Sequence, residues 1–214
     1  MSCRSRPGSA SETGFSLLLK YPGGGRRPVG VEPPNARPGL DGPAALPPLA
    51  SRQRGGHIPT MSKSTARVAA ALKAAGLDAE IVEPGPARTA EEAAAACGCA
   101  LDQIVKSLIF QGESGQLYLF LTAGGNRVNP ARAAALAGEQ LGRADADTVR
   151  ATTGFAIGGV APLGHLTAPV IFADPRLTEF PEVWAAAGTP RHVFAAAPDA
   201  LIAACKARIA DFTA

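Results

Sequence analysis

Two apolar strands joined by a short polar turn are encoded by Gln103-Ile104-Val105-Lys106-Ser107-Leu108-Ile109-Phe110-Gln111-Gly112-Glu113-Ser114-Gly115-Gln116-Leu117-Tyr118-Leu119-Phe120-Leu121-Thr122. Residues 104–110 and 117–122 are rich in the β-branched, aromatic and aliphatic side chains that favour strands, and residues 111–115 supply the Gly and Ser typical of a turn. The pattern predicts an antiparallel hairpin. With such a pair in it, the sheet is not purely parallel.

Short helices and strands alternate on both sides of the predicted hairpin. Helical periodicity with capping residues predicts helices over 64–76, 89–98, 129–138, from Asp145 or Asp147 to Gly154, and 198–210, with Ser64 or Thr65 as the first N-cap. Strands are predicted over 79–83, 169–173, 183–187 and 192–196. We therefore predict an α/β fold of α+β type, a mixed sheet surrounded by short helices, and not a doubly wound parallel fold.

The composition changes near residue 60. Residues 1–60 contain ten Pro and ten Gly, and eight Lys and Arg against three Asp and Glu. This composition predicts a disordered leader, whose scattered arginines are a weak indication of RNA binding. Residues 61–214, with thirteen basic and fifteen acidic residues, are predicted to form one domain. Because Met61 opens that region, we expect it to be the natural start.

Several classes of protein are disfavoured. No apolar run approaches the roughly 18 to 20 residues that a spanning helix needs, so we expect a cytoplasmic protein with no membrane partner.

Cys97 and Cys99 form a C-x-C pair, which favours packed free thiols over half of a metal site, because few other His or Cys residues exist to complete one. Motifs of zinc proteases, NTPases, α/β-hydrolases and dinucleotide enzymes are absent from the sequence. We expect no metal and no cofactor.

Lys106 is a candidate binding residue because it interrupts an apolar strand. Its ammonium group either turns to solvent at an edge of the sheet or faces a polar pocket, where a lysine binds anions such as phosphate. The strand alone leaves both alternatives open.

A second candidate is the glycine-punctuated segment Thr153-Gly154-Phe155-Ala156-Ile157-Gly158-Gly159-Val160-Ala161-Pro162-Leu163-Gly164-His165. Glycines let the backbone and its N–H groups approach a ligand, and proline fixes the shape of the loop. A lone histidine such as His165 is more often structural than catalytic. Gly124 and Gly125 indicate a turn after the hairpin, which could shape one wall of a site.

Five segments, taken in order, resemble the YbaK family, also called the prolyl-tRNA synthetase-associated editing domain. They are residues 88–94, 103–108, 122–128, 154–165 and 182–188, and the resemblance extends over 61–214. It implies a curved, mostly antiparallel sheet and a deacylase acting in trans. Such an enzyme hydrolyses the ester that joins a wrong amino acid to the terminal adenosine of a tRNA, with help from the ribose hydroxyl and no cofactor.

The resemblance also implies roles for individual residues. Lys106 would hold the tRNA end, the backbone of residues 158–162 would contact the aminoacyl carbonyl or the water, and His165 would lie beside the amino-acid pocket. Catalytic roles are expected for Lys106, Gly158, Gly159, Pro162 and His165, and substrate contacts for Ser107, Gly124, Asn126, Ile157, Val160 and Ala161. Some alanine-specific members carry Asn where this chain has Ser107, which leaves alanine, cysteine and serine esters as candidates.

Two functions follow from these expectations. The first is an aminoacyl-tRNA deacylase whose partners are the aminoacylated acceptor end of a tRNA, such as tRNA-Pro, and an aminoacyl-tRNA synthetase that delivers it. The second is a non-catalytic module that binds a nucleotide or tRNA end, or docks on a synthetase. The excess of acidic residues over 61–214 is a point against tight RNA binding.

Overall fold

The computed structural model of the protein describes residues 62–85 and 87–214. The predicted leader over residues 1–60 and the proposed start at Met61 lie outside the described residues, so both stay predictions. Within the described part, the regular structure is a single mixed sheet with short helices on both faces.

The helices are all 8 or 12 residues long: α1 Lys63–Ala74, α2 Ala90–Cys97, α3 Pro130–Ala137, α4 Ala146–Thr153 and α5 Pro198–Cys205. The strands, in chain order, are β1 Ile81–Val82, β2 Ile104–Gly112, β3 Leu117–Ala123, β4 Leu141–Arg143, β5 Val170–Ala173, β6 Val183–Ala186, β7 Val193–Ala196 and β8 Arg208–Ile209. Two 3₁₀ turns, Leu101–Gln103 and Pro175–Glu179, precede β2 and follow β5.

Local capping explains most helix ends. Thr89, Asn129 and Asp145 each accept a hydrogen bond from a first-turn N–H of α2, α3 and α4, as N-cap side chains do. For α1 the cap is Ser62, which accepts from Thr65 N, so the predicted cap at Ser64 or Thr65 was wrong. Helices α1 to α4 were otherwise correctly predicted.

The sheet has the order β1-β7-β6-β2-β3-β5-β8, and β4 also pairs with β2. Four of the described pairings are antiparallel, namely β1 with β7, β2 with β3, β2 with β4, and β6 with β7. Three are parallel: β2 with β6, β3 with β5, and β5 with β8. The predicted hairpin of β2 and β3 and the mixed sheet are confirmed.

Alternating residues of β2 and β3 contribute their side chains to two separate hydrophobic cores. Val105, Ile109, Leu119 and Leu121 face the larger core, which α1, α4 and α5 cover, whereas Phe120 faces a smaller aromatic core beneath α3. Every residue of β3 is buried. A strand covered on both faces is continuously apolar, as the sequence of β3 is.

The C-terminal helix is shorter than its periodicity predicted. α5 ends at Cys205 because Lys206 adopts a left-handed conformation with φ 55°, and Arg208–Ile209 then form β8 beside β5. The predicted helix over 206–210 was therefore wrong. No glycine or proline marks this stop, and Ile209, which lies within the predicted helix, is 53% exposed.

Strand β4 was missed by the sequence analysis. Leu141-Gly142-Arg143 contains one apolar residue and a glycine, and it becomes a strand only because Gln111 and its neighbours in β2 offer a free edge. The strand predicted over 79–83 is shorter in the structure, Ile81–Val82. Its length is set by its pairing with β7.

Across the residues that the structure describes, no helix is both long and apolar enough to cross a membrane.

The aromatic core gives a stability prediction. The Phe120 ring stacks on Phe172 at 5.2 Å and meets the edges of Phe212 at 4.9 Å and Phe110 at 5.6 Å. Phe120→Ala should lower the free energy of unfolding by about 3–5 kcal/mol, since it empties a fully buried site. Phe110→Ala, at the half-buried rim of the same core, should lower it clearly less. Urea denaturation measures both, and equal losses would contradict the prediction.

Candidate active site at an open sheet edge

Lys106 lies near the start of β2, opposite Thr122 of β3. Its side chain is half-buried, and its Nζ donates a hydrogen bond of 2.5 Å to the backbone carbonyl of Asn126. Burial lowers the pKa of Lys106, and the nearby Arg127 cation lowers it further. Three carboxylates act in the opposite direction on that pKa: Glu91, Asp174 and Asp102. The lysine is thus held in place by a neutral carbonyl and by no ion pair within the described residues.

The acceptor for Lys106 belongs to a tight turn after β3. A Cβ at Gly124 would lie 2.0 Å from the carbonyl oxygen of Leu101, so only glycine fits there. Gly125 N donates to Asp102 Oδ1 at 2.9 Å, and Asn126 N donates to Ala123 O at 3.0 Å. The glycine pair predicted as a turn is confirmed, and the turn aims the Asn126 carbonyl at the lysine.

Asp174 is a residue of the site that the sequence analysis missed. Its carboxylate, 1% exposed, accepts hydrogen bonds from Asn126 Nδ2 at 2.8 Å, Ala123 N at 3.2 Å and Arg176 N at 2.9 Å. The Asp174-Pro175 pair was a detectable signal for the start of a 3₁₀ turn. No local signal links it to Asn126, because 48 residues separate them. Asp174 therefore fixes the turn whose carbonyl holds Lys106.

Ser107 projects from the other face of β2, the face of Val105 and Ile109. Its Oγ is buried and has no hydrogen-bond partner among the described residues. Thr122 Oγ1, across from Lys106, is likewise buried and without a partner there. A buried hydroxyl left without a partner costs about 1–3 kcal/mol, so each of these groups is available for a further hydrogen bond.

The backbone of β2 is open at the same place. On the edge away from β3, β6 pairs only with Ile104 and Val105, and β4 pairs only with Phe110 to Gly112. In an antiparallel pair, successive residues of a strand direct their backbone N–H and C=O alternately toward the partner strand and away from it. Gly112 N donates to Gln116 O, so the even-numbered residues of β2 bond to β3. The odd-numbered residues of β2 therefore direct their backbone groups to the edge away from β3. The N–H and C=O of Ser107 therefore face a gap in the sheet. We call residues 106–109 the open edge.

The glycine-punctuated loop begins with a turn. Gly159 N donates to Ala156 O at 3.0 Å, and Gly158, at φ 87°, occupies the position of a type II turn that favours glycine. Ile157 at the tip is 53% exposed. The Gly159 N–H is thus used within the loop, and the exposed donor at the tip is that of Gly158.

The rest of the loop packs against its neighbours. A Cβ on Gly159 would lie 2.5 Å from the Cα of Thr189. Val160 and Ala161 belong to the larger core, and Pro162 is buried beside them. The loop is therefore seated on the segment that follows β6.

Arg67 of α1 ties the two ends of the loop together. Its Nη2 donates to Gly154 O at 2.7 Å and its Nε to Gly164 O at 2.9 Å, while the guanidinium lies 4.8 Å from the centre of the Phe155 ring. Sequence reasoning missed this residue, because its partners are about ninety residues away. The loop conformation thus depends on α1.

The structure brings the predicted residues together as two groups. Lys106, Gly124 and Asn126 form one group on the face of the aromatic core, and the loop forms the other on the face of Ser107. No hydrogen bond between described residues joins Lys106 to the loop. Lys106 belongs to the open edge, and the loop is connected to it through β6, which pairs with β2 as far as Val105 and leads to Thr189, on which Gly159 rests.

His165 lies at the end of the loop. Its ring meets the Phe155 ring edge-on at 5.6 Å, and its Nε2 is buried without a hydrogen-bond partner among the described residues. Burial lowers its pKa to about 4; the Arg67 cation adds to this shift, and the Ala161 backbone opposes it. His165 is therefore a neutral imidazole at pH 7 and a weak base.

Within residues 62–85 and 87–214, no group of three or more His, Cys, Asp and Glu side chains could hold a metal ion. Cys97 and Cys99 are free thiols. Burial raises the pKa of the Cys97 thiol to about 11 and also raises that of Cys99. Neither is a thiolate at neutral pH, which is the form that binds metals and attacks carbonyls.

Comparison with known proteins agrees with this geometry. The family model described as the aminoacyl-tRNA editing domain matches residues 84–204. Over 101 residues the chain is 34% identical to the uncharacterized protein YwhH of Bacillus subtilis (strain 168); the alignment covers 47% of this chain and 64% of that protein, less than two thirds of its length.

Two solved structures are similar over most of the described part. One is the crystal structure of a candidate trans-editing enzyme for prolyl tRNA synthetase, with 47% identity, a TM-score of 0.69, and coverage of 72% of this chain and 99% of that one. The other is the crystal structure of hypothetical protein APE2540, with 31% identity, a TM-score of 0.64, and coverage of 69% and 99%. The predicted fold class and family resemblance are confirmed.

The Arg67 contacts predict that the glycine loop becomes less stable when they are removed. Arg67→Ala should lower the free energy of unfolding by about 2–4 kcal/mol, because two partly buried carbonyls lose a charged donor. Arg67→Lys should recover little, since one ammonium group cannot reach both carbonyls as the guanidinium fork does. Hydrogen exchange of the amides of residues 154–164 and urea denaturation measure the effect. Arg150→Ala, at an exposed arginine of α4, is the control, and equal effects in both variants would refute the prediction.

The pKa of His165 predicts a dependence of stability on pH. Because burial lowers its pKa from 6.5 to about 4, the unfolded chain binds more protons than the folded one between these values. The contribution is fully present above about pH 6.5 and is lost as the pH falls to 4, amounting to about 3 kcal/mol at most. His165→Phe should lack this loss. Unfolding free energies measured from pH 7 to 4 test it, and parallel curves for the two proteins would exclude it.

Proposed function

The chain belongs to the aminoacyl-tRNA editing domain family, and from that membership we propose that it is a deacylase acting in trans on mischarged tRNA. It hydrolyses the ester between an incorrect amino acid and the 3′-terminal adenosine. The matched family over residues 84–204 and the similarity to a candidate trans-editing enzyme support this proposal. The substrate proposed is tRNA-Pro, or a similar tRNA, carrying alanine, cysteine or serine.

The open edge of β2 is the observation that carries the proposal. It combines a half-buried cation at Lys106, a buried hydroxyl at Ser107 that has no partner among the described residues, and backbone groups of Ser107 that face a gap. The exposed turn at Gly158 lies beside Pro190, in the segment that follows β6, the strand that pairs with β2 up to Val105. An ester end needs such a set of fixed donors more than it needs strong side-chain bases.

The geometry favours hydrolysis without a side-chain base. His165 is a weak base because its pKa is about 4, and the Lys106 ammonium group is already hydrogen-bonded to Asn126. In the mechanism proposed, the terminal ribose hydroxyl of the tRNA orients and activates a water molecule. The water oxygen attacks the ester carbonyl, the bond to the ribose oxygen breaks, and that oxygen takes up a proton as the amino acid leaves.

Backbone donors are proposed to stabilise the negative charge that develops on the carbonyl oxygen. The N–H of Ser107 points to the open edge, and the N–H of Gly158 lies at the exposed turn; neither donates to another described backbone group. Preorganised N–H donors of this kind lower the barrier by about 3 kcal/mol each. Lys106 contributes by anchoring the tRNA end and not by proton transfer.

Deacylation assays with the full chain test the proposal. Ala-, Cys-, Ser- and Pro-charged tRNA-Pro are incubated with the wild type, with Lys106→Ala and with Lys73→Ala, a matched change at an exposed lysine of α1. The wild type should deacylate at least one mischarged tRNA and spare Pro-tRNA. Lys106→Ala should lower kcat/KM about 100-fold, or about 2.7 kcal/mol, and Lys73→Ala should leave it unchanged.

Two outcomes would count against the proposal. Equal rates for Lys106→Ala and Lys73→Ala would remove Lys106 from the site. A folded wild type that hydrolyses none of the four substrates would favour the alternative function, a module that binds a tRNA end or docks on a synthetase without turnover.

A further inference from the structure

Arg127 follows the residue that holds Lys106. The carbonyl of Asn126 accepts the Lys106 Nζ hydrogen bond at 2.5 Å, and the next peptide unit is that of Arg127. On its other side, Arg127 O accepts from Ala214 N at 3.0 Å, and Val128 forms a β-bridge with Thr213. The backbone of Arg127 is therefore fixed on both sides, next to the lysine.

The guanidinium group of Arg127, by contrast, has no polar partner among the described residues. The residue is exposed, and its side chain makes no hydrogen bond or ion pair with any described residue. Other arginines near the same face are used: Arg132 pairs with Asp211 at 2.8 Å and Arg176 with Asp102 at 3.1 Å. The fixed backbone therefore presents an unused guanidinium group next to the residue that holds Lys106.

Lys106 also lacks a partner of opposite charge within the described part. Glu91, whose charge also raises the pKa of Lys106, forms no ion pair with it in the described part. Asp102 is engaged by Arg176 and Gly125 N, and Asp174 is engaged by the turn that contains Asn126. The Arg127 cation is close enough to disfavour the charged form of the lysine, after burial, and so lowers its pKa. Like charges disfavour each other, and an anion bound between them relieves that effect.

We propose that Lys106 and Arg127 together bind one phosphodiester group of the tRNA 3′ end. A guanidinium group bonds two phosphate oxygens at once, and the ammonium group adds a point charge. Phosphate contacts of this kind set the register of a nucleic acid without selecting its bases. This inference rests on the proposed function and adds Arg127 to the site as a residue that positions the ester over the open edge.

The first experiment measures binding of uncharged tRNA-Pro to the full chain as a function of salt. The variants are Arg127→Ala, Arg127→Lys and, as a control for the loss of one positive charge, Lys73→Ala on an exposed part of α1. Arg127→Ala should raise Kd about tenfold and reduce the slope of log K against log salt by about 0.7 to 1. Arg127→Lys should keep most of the slope, and Lys73→Ala should match the wild type.

The second experiment uses a substrate with no phosphate, the aminoacyl ester of adenosine. Arg127→Ala should hydrolyse this ester as fast as the wild type does, whereas its KM for the charged tRNA should rise about tenfold with kcat little changed. A purely structural role for Arg127 would instead impair both substrates alike. Thermal unfolding of each variant serves as the check on folding.

The outcomes separate this inference from the proposed function. If the wild type deacylates tRNA but Arg127→Ala binds tRNA with the Kd and salt slope of Lys73→Ala, the inference is overturned and the function stands. Equal impairment on tRNA and on the adenosine ester also overturns it. If the wild type hydrolyses neither substrate while Arg127→Ala weakens tRNA binding as predicted, the phosphate contact stands and the deacylase does not.

Discussion

The antiparallel register of β2 and β3 is the constraint on which both halves of the candidate site depend. Seven consecutive residue pairs, from Val105 with Ala123 to Gln111 with Leu117, fix which side chains face each core. A slip of one residue would exchange the faces. Lys106 would then point into the larger core and Ser107 toward the aromatic one. The aromatic packing around Phe120 therefore also fixes the orientation of the site.

The gap in the sheet is a consequence of how short the flanking strands are. β6 covers two residues of β2 and β4 covers three, and nothing in the described chain pairs with the edge between them. Backbone groups left free in a protein are normally satisfied by a partner. In this site they offer fixed donors and acceptors at no cost in side-chain entropy, which suits a reaction that needs orientation more than acid–base strength.

Contacts between residues that are distant in the sequence fix the two groups of the candidate site. Arg67 closes the glycine loop from α1, and Asp174, buried at the end of β5, fixes the turn that holds Lys106. Each is a charged group whose hydrogen bonds go mainly to the backbone. Because the charge is used in shaping loops, these residues position other groups of the candidate site. Because the candidate site relies on oriented groups and not on a strong side-chain base, a neutral, buried His165 is compatible with it.

The sequence by itself determined the hairpin, the caps of most helices, the glycine turns and the family, because apolar periodicity, capping residues and glycine positions act over a few residues. The same local signals made Lys106 and the glycine loop candidates for the site, which stays a prediction. Only the tertiary structure decided the strand β4, the end of α5 at Lys206, and the partners of Arg67 and Asp174. Those features depend on groups that lie 30 to 100 residues apart along the chain, which local propensity does not encode.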